Sequence, residues 1–233
     1  MTPQSLQDMR KIDHVITAQY PEQFDPKWIV MESGWPCFRL SALDNQPWKE
    51  MHKEAEALAD KFYPHRETTY GKGWKSLTLH GLNDDTQSLG GYGDRDETIK
   101  QLDWTWVADE CPITKKFLTD VWPAEFLNRV RFMLLEPGGY ILPHQDRADE
   151  EKRLSVCNIS LNNPENCKFI FKDHGIVPFE DSGSAFLMDI SNVHAVYNDS
   201  DKPRIHMIIH YELGRRIRDF FYVLRQSYYT NQG

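Results

Sequence analysis

The sequence predicts a mainly β fold with flanking helices and a double-sheet jelly-roll core. After residue 128, short segments rich in β-branched and aromatic residues alternate with breaks rich in Gly, Pro, Asn and Asp. The predicted strands are 130–135, 140–146, 154–161, 167–171, 184–190, 194–197 and 204–211. Seven or eight strands at this spacing are typical of a jelly roll.

The chain of 233 residues is long enough for one domain, 1–233, with a sizeable core. We expect residues 1–129 to form a mixed helical and strand part that packs on the barrel. Residues 130–212 are the predicted jelly-roll core, which carries the metal site, and 213–233 are a predicted C-terminal helix.

Apolar periodicity predicts the elements that flank the barrel. Helical spacing indicates a helix in 3–20, and a second one starts near Pro47 and ends at Pro64. Residues 74–79 are β-prone, 83–96 are a Gly-rich surface loop, and a helix opens at Pro112 and stops at Trp122. The predicted apolar stripe of the second helix contains Trp48, Met51, Ala55, Leu58 and Phe62.

The predicted strand 204–211 has two different faces. Alternation places Ile205, Met207 and Ile209 toward packed helices. The barrel interior then receives Arg204, His206, Ile208 and His210.

Composition excludes several classes of partner. The net charge of −8 argues against gripping a nucleic-acid backbone, which requires a basic face. No apolar run approaches ~20 residues, so we expect no membrane span. Four cysteines without Cys-x-x-Cys spacing, and no apolar signal segment, indicate free thiols in the cytoplasm.

His144, Asp146 and His194 have the residue types of a metal site. Alternation along a strand puts His144 and Asp146 on one face, and His194 completes a set of two histidines and one carboxylate. That set leaves open coordination positions at non-haem Fe(II). The structural alternatives are a turn histidine with a capping aspartate, and a buried core histidine.

Arg204 follows His194 by ten residues and begins an apolar strand. An unpaired arginine is costly to bury there, and its planar fork suits a carboxylate held through two bonds. A dicarboxylate cosubstrate would neutralise it. A salt bridge to an internal acid is the structural alternative.

The order of these residues resembles the Fe(II)- and 2-oxoglutarate-dependent dioxygenases. Within them, the run from Leu135 to Asp146, with its Pro-Gly and Pro-His-x-Asp signature, looks most like the aspartyl/asparaginyl β-hydroxylase family. The resemblance covers roughly 130–212. It implies a double-stranded β-helix with helices on the larger sheet, with Fe(II), 2-oxoglutarate and O2 as cofactor and cosubstrates.

The same resemblance implies roles for single residues. His144, Asp146 and His194 would hold the metal, and Arg204 would anchor the far carboxylate of 2-oxoglutarate. Arg153 corresponds to a family arginine that contacts cosubstrate or substrate, although Ser155 stands where the family has histidine. Because Asp146 keeps the carboxylate that halogenating relatives replace, hydroxylation is the expected reaction.

The expected function is hydroxylation of an unactivated C–H bond in an amino-acid or peptidyl substrate. Two alternatives stay open. A cupin-like metalloprotein that uses another metal without 2-oxoglutarate would pair Arg204 internally. In a non-catalytic protein-binding barrel, the three metal-ligand candidates need not converge.

Overall fold

The computed structural model describes residues 36–66, 70–84, 102–146 and 156–230. The predicted helix in 3–20, most of the Gly-rich loop and Arg153 lie outside the described residues.

Strands dominate residues 126–212, and helices lie on either side of this region in sequence. The strands and α-helices are β1 (Cys37–Arg39), α1 (Trp48–Ala57), β2 (Tyr63–Pro64), β3 (Gly71–Gly81), β4 (Asp103–Trp104), α2 (Trp106–Glu110), α3 (Pro112–Lys116), β5 (Phe126–His144), β6 (Val156–Asn162), β7 (Cys167–Phe171), β8 (Gly175–Ile176), β9 (Ala185–Met188), β10 (His194–Asn198), β11 (Arg204–Glu212) and α4 (Ile217–Thr230). A π-helical turn, Phe117–Val121, extends α3 up to Trp122, where the sequence predicts the stop.

All the described strands are hydrogen-bonded into one antiparallel sheet that curls on itself. The order β1-β9-β6-β11-β5 makes a larger sheet, and β5-β10-β7-β8 makes a smaller one. β3 pairs with the other side of β5 and widens the larger sheet. Two antiparallel sheets that share one bent strand form a jelly roll, so the predicted fold class is confirmed.

β5 joins the two sheets without interruption, so the prediction of separate strands at 130–135 and 140–146 is wrong. The turn-forming residues Pro137, Gly138 and Gly139 bend the strand instead of ending it. Gly138 has φ +68°, a left-handed conformation that glycine adopts without steric cost. A Cβ on Gly139 would lie 2.8 Å from the Glu136 carbonyl oxygen, so the bend excludes larger residues.

The helix predicted after Pro47 is present but shorter than expected. α1 ends at Ala57, and a 3₁₀ turn and β2 replace its predicted last turns, so Phe62 is extended. Trp48, Met51 and Ala55 are buried in the main core, as their spacing predicts.

The main core lies between the larger sheet and the helices. Ile205, Met207 and Ile209 of β11 belong to it, which confirms the predicted outer face of that strand. Leu224 of α4 packs into the same core, and Trp122 lies 5.2 Å from the Tyr211 ring. None of the helices in the described ranges combines the length and apolar character that a bilayer crossing demands.

Candidate metal centre

Two histidines lie next to each other on neighbouring strands of the smaller sheet. His144 is the last residue of β5, His194 is the first of β10, and the two are partners in the antiparallel register. Directly opposed residues in such a pair share a face, and the ring centroids lie 4.3 Å apart.

Asp146 reaches the same place through a loop. β5 ends at His144, so the predicted strand is two residues too long and strand alternation does not position the carboxylate. Instead the Asp146 backbone N–H donates to the Ile190 carbonyl at 3.0 Å, which ties this segment to the one before β10. One ligand atom from each of His144, Asp146 and His194 lies within 4.8 Å of the others.

Backbone carbonyls determine which nitrogen each histidine offers. Nδ1 of His144 lies 2.8 Å from the Leu142 oxygen, and Nδ1 of His194 lies 2.9 Å from the Asn192 oxygen. A carbonyl only accepts, so Nδ1 carries the hydrogen and Nε2 keeps its lone pair. Both rings are therefore in the tautomer that binds a metal through Nε2.

Aromatic rings surround His194 on its inner side. The Phe169 ring stacks on it at 5.3 Å with 7° between the planes, and Phe171 meets it edge-on at 5.8 Å. Burial is the main cause that lowers the pKa of His194. This environment favours the neutral imidazole that a metal requires.

His144 and Asp146 are partly exposed, in contrast to His194. Tyr70 and Trp74 lie 5.6 Å and 6.4 Å from the His144 ring. The centre thus has one buried side and one open side bordered by aromatic residues.

The donor set fits Fe(II). Two neutral imidazoles and one carboxylate are the ligands that non-haem iron binds on one face, with the remaining positions open. Zinc accepts similar ligands, so the donors alone do not select the metal. The surroundings of Arg204 separate these cases.

Arg204 is a buried cation without an acidic partner among the described residues. It is 3% exposed, and its Nε has no hydrogen-bond partner. Its Nη2 lies 2.7 Å from Nδ1 of His206, and its Cζ lies 6.0 Å from the Phe179 ring centroid. Burial lowers the pKa of the Arg204 guanidinium, and arginine nevertheless stays charged.

His206 lies between Arg204 and Asn158. Its Nδ1 is 2.8 Å from Oδ1 of Asn158, and its Nε2 is buried without a partner. Burial, followed by the Arg204 charge, lowers the pKa of His206 well below its usual value. A neutral His206 supplies no negative charge to Arg204, so the guanidinium still requires an anion.

The predicted candidates have different outcomes. His144, Asp146 and His194 come together, and Arg204 is buried on the inner face. Their roles as metal ligands and cosubstrate anchor stay predictions. Arg153 lies outside the described residues, so its role stays a prediction.

One further buried polar residue of the inner wall was not predicted, Arg131 of β5. Arg131 interrupts the apolar run from Val130 to Leu135, and that interruption was the available sequence signal. Its direction depends on pairing with distant strands, which the sequence alone does not reveal.

The family match, together with the jelly roll and the converging ligands, identifies a 2-oxoglutarate-dependent dioxygenase that uses Fe(II) and O2. The chain belongs to the aspartyl/asparaginyl β-hydroxylase family, whose model matches residues 45–212. The match therefore reaches well before the region that carries the sequence resemblance. The search of curated protein sequences found no match.

Several solved structures are similar to this chain. A Trichoplax adhaerens prolyl hydroxylase, solved with a hypoxia inducible factor peptide fragment, is 13% identical with a TM-score of 0.49, covering 94% of this chain and 97% of its own. A Pseudomonas putida prolyl-4-hydroxylase is 12% identical with a TM-score of 0.45, covering 88% and 98%. A 2OG-Fe(II) oxygenase family oxidoreductase from Burkholderia pseudomallei is 13% identical with a TM-score of 0.40, covering 69% and 77%. Similarity of this degree identifies no substrate.

Proposed function

We propose that His144, Asp146 and His194 hold Fe(II), and that Arg204 binds the far carboxylate of 2-oxoglutarate. The enzyme then hydroxylates an unactivated C–H bond of an amino-acid or peptidyl substrate. The family description supports an amino-acid side chain as the site of reaction.

The observation that carries this proposal is the unpaired Arg204. A buried charge without a counter-ion costs several kcal/mol by order of magnitude. A carboxylate held by the guanidinium fork removes that cost through charge-assisted hydrogen bonds. The position of Arg204 on the inner wall supports a cosubstrate that extends from this arginine to the metal centre.

Each residue of the centre has a separate task. Bound Fe(II) supplies the activation of O2, while the protein supplies orientation and a dry cavity. The carbonyl partners of His144 and His194 hold both rings with Nε2 inward. Asp146 contributes negative charge to the ligand set, and Phe169 excludes water beside His194.

The two alternatives predict different surroundings. A cupin-like protein without 2-oxoglutarate needs an internal acid for Arg204, and the described ranges contain no such ion pair. A non-catalytic barrel gives no reason for three ligand atoms to lie within 4.8 Å of each other. Both observations favour the dioxygenase.

Four buried free cysteines support a reducing compartment, which includes the cytoplasm: Cys37, Cys111, Cys157 and Cys167. Burial raises the pKa of the Cys37 thiol to about 12, so this thiol is inert toward oxidation.

Turnover tests the proposal. Purified protein with Fe(II), O2 and 2-oxoglutarate is incubated with panels of free amino acids and capped peptides. Succinate is measured by NMR, and substrate mass is measured for the gain of one oxygen atom. We expect both products in equal amounts with one substrate class, and neither with Asp146→Ala. A folded, iron-loaded protein that neither binds nor consumes 2-oxoglutarate contradicts the proposal.

A further inference from the structure

A second buried guanidinium lies on the inner wall of the larger sheet. Arg131 of β5 is 7% exposed. Its partners in the register are Thr78 of β3 and Ile208 of β11, so the three side chains share one face. Because Ile208 alternates with the outward Met207 and Ile209, that face is the barrel interior.

The polar atoms at this place are not satisfied by the protein. Nε and Nη1 of Arg131 and Oγ1 of Thr78 are buried and have no hydrogen-bond partner. No ion pair joins Arg131 to an acid within the described ranges. A buried cation beside an unpaired hydroxyl forms a site that an anion with oxygen acceptors completes.

Aromatic and polar contacts lead from the metal centre along β3 toward this site. The His65 ring lies 4.4 Å from the Trp74 ring, and Trp74 lies 6.4 Å from His144. His65 is also 3.3 Å from the Ser76 hydroxyl through its Nδ1. Burial and then the Arg131 charge lower the pKa of His65 to about 3, which places the guanidinium within electrostatic reach of this chain of contacts.

Arg131 and Arg204 are separate sites. Arg204 pairs with Leu135 and Arg131 pairs with Ile208, so the two arginines lie four positions apart along the β5–β11 ladder. Four residues of strand span about 14 Å. One short dicarboxylate that extends from Arg204 toward the metal leaves Arg131 without a counter-ion.

We propose that Arg131 is a specificity-determining residue that binds a carboxylate of the primary substrate. The enzyme therefore prefers anionic amino-acid or peptidyl substrates over their neutral amides. This inference rests on the proposed function, since it assigns Arg204 to the cosubstrate and leaves Arg131 for the substrate.

Binding without turnover tests the inference. The full chain is loaded anaerobically with Fe(II) and 2-oxoglutarate, and tryptophan fluorescence reports titrations of two acid and amide pairs. The first pair is N-acetyl-aspartate N-methylamide and its asparagine counterpart. The second is N-acetyl-alanine and its N-methylamide. We expect the wild type to bind the acid of at least one pair roughly tenfold more tightly than the amide.

Three variants make the test specific. Arg131→Met is expected to abolish the preference for the acid while leaving the affinity for 2-oxoglutarate within twofold of wild type. Arg131→Lys is expected to keep part of the preference. Arg225→Met, which changes an exposed arginine of α4, is expected to behave as the wild type.

The 2-oxoglutarate titration in each variant also shows that the site is folded. A wild type without any acid preference, or Arg131→Met that retains it, overturns the inference. A large loss of 2-oxoglutarate affinity in Arg131→Met also overturns it, because Arg131 then serves the cosubstrate. Failure of the wild type to bind 2-oxoglutarate instead contradicts the proposed function.

Discussion

The two faces of the larger sheet are made by the same strands and differ in chemistry, most clearly along β11. On its outer face, β11 contributes Ile205, Met207 and Ile209 to an apolar core. On its inner face, the same strand contributes Arg204 and His206, which are buried with unsatisfied nitrogen atoms. Strand alternation thus allows one segment of nine residues to build both a stable core and a binding site.

This difference assigns stability to the outer face and ligand binding to the inner face. Each large apolar side chain buried on the outer face contributes about 1.5–3 kcal/mol to folding. Each unsatisfied buried polar group on the inner face costs about 1–3 kcal/mol. The outer face therefore stabilises a strained inner face whose deficits ligands can remove.

Among changes on the inner face, removal of a metal ligand should have the largest effect, a loss of turnover. Asp146→Ala should lower turnover by on the order of a thousandfold, about 4 kcal/mol, because the ligand set loses its carboxylate. Bound iron and succinate formation are measured together. His174→Ala, in an exposed turn, should keep wild-type turnover. Full activity in the Asp146 variant would remove this residue from the centre.

A truncation on the outer face should lower stability without changing ligand affinity. Ile209→Ala leaves a cavity in the core and should lower the free energy of unfolding by about 2–5 kcal/mol. The affinity of the folded protein for 2-oxoglutarate should not change, since Ile209 points away from the site. Urea denaturation and calorimetry measure the two quantities. Ile113→Ala, at an exposed position, is the matched control.

Arg204→Met on the inner face should raise stability, whereas Ile209→Ala on the outer face should lower it. Without ligand, an apolar side chain replaces a buried, unpaired charge, so the free energy of unfolding should rise by about 1–3 kcal/mol. Arg225→Met provides the same substitution on an exposed surface and should change stability by less than about 0.5 kcal/mol. A clear loss of stability in Arg204→Met would indicate an internal acidic partner for the guanidinium.

Part of the pH dependence of stability should come from the buried His65. The folded pKa of His65 is about 3, below its usual 6.5, so the unfolded chain takes up the proton first as pH falls. His65 therefore contributes full stability above 6.5, which is lost toward pH 3 at up to about 1.4 kcal/mol per unit. His65→Gln should flatten this slope in urea denaturation between about pH 5 and about pH 7. An unchanged slope would contradict the burial of a neutral His65.

Much of the fold was predictable because local patterns and tertiary structure agree. The strand at 167–171 has its predicted bounds, and the two faces of β11 are confirmed. The continuity of β5 was not predictable, since Pro137 and Gly138 signal a break as strongly as a bend. The end of α1 was missed because Leu58 and Phe62 continue the apolar spacing after the helix has stopped.

Prediction of the candidate site from the sequence was limited in the same way, by tertiary pairing. His144 and His194 were identifiable from residue type and order, and the register that opposes them appears only in the folded sheet. Arg131 was missed because its inward direction follows from pairing with β3 and β11. The role of Arg153 and the division of the chain at residue 129 stay predictions.

One titration tests most directly whether the inner face is a cosubstrate site. Visible spectra are recorded under anaerobic Fe(II) as 2-oxoglutarate is added to the wild type, His144→Ala and Arg204→Met. We expect a weak charge-transfer band in the wild type and none in the His144 variant. The Arg204 variant should need roughly 10- to 100-fold more 2-oxoglutarate, which is the loss of about 1.5–3 kcal/mol in charge-assisted bonding. Half-saturation at the same concentration in Arg204→Met and wild type, or no band in folded iron-loaded wild type, would contradict the account.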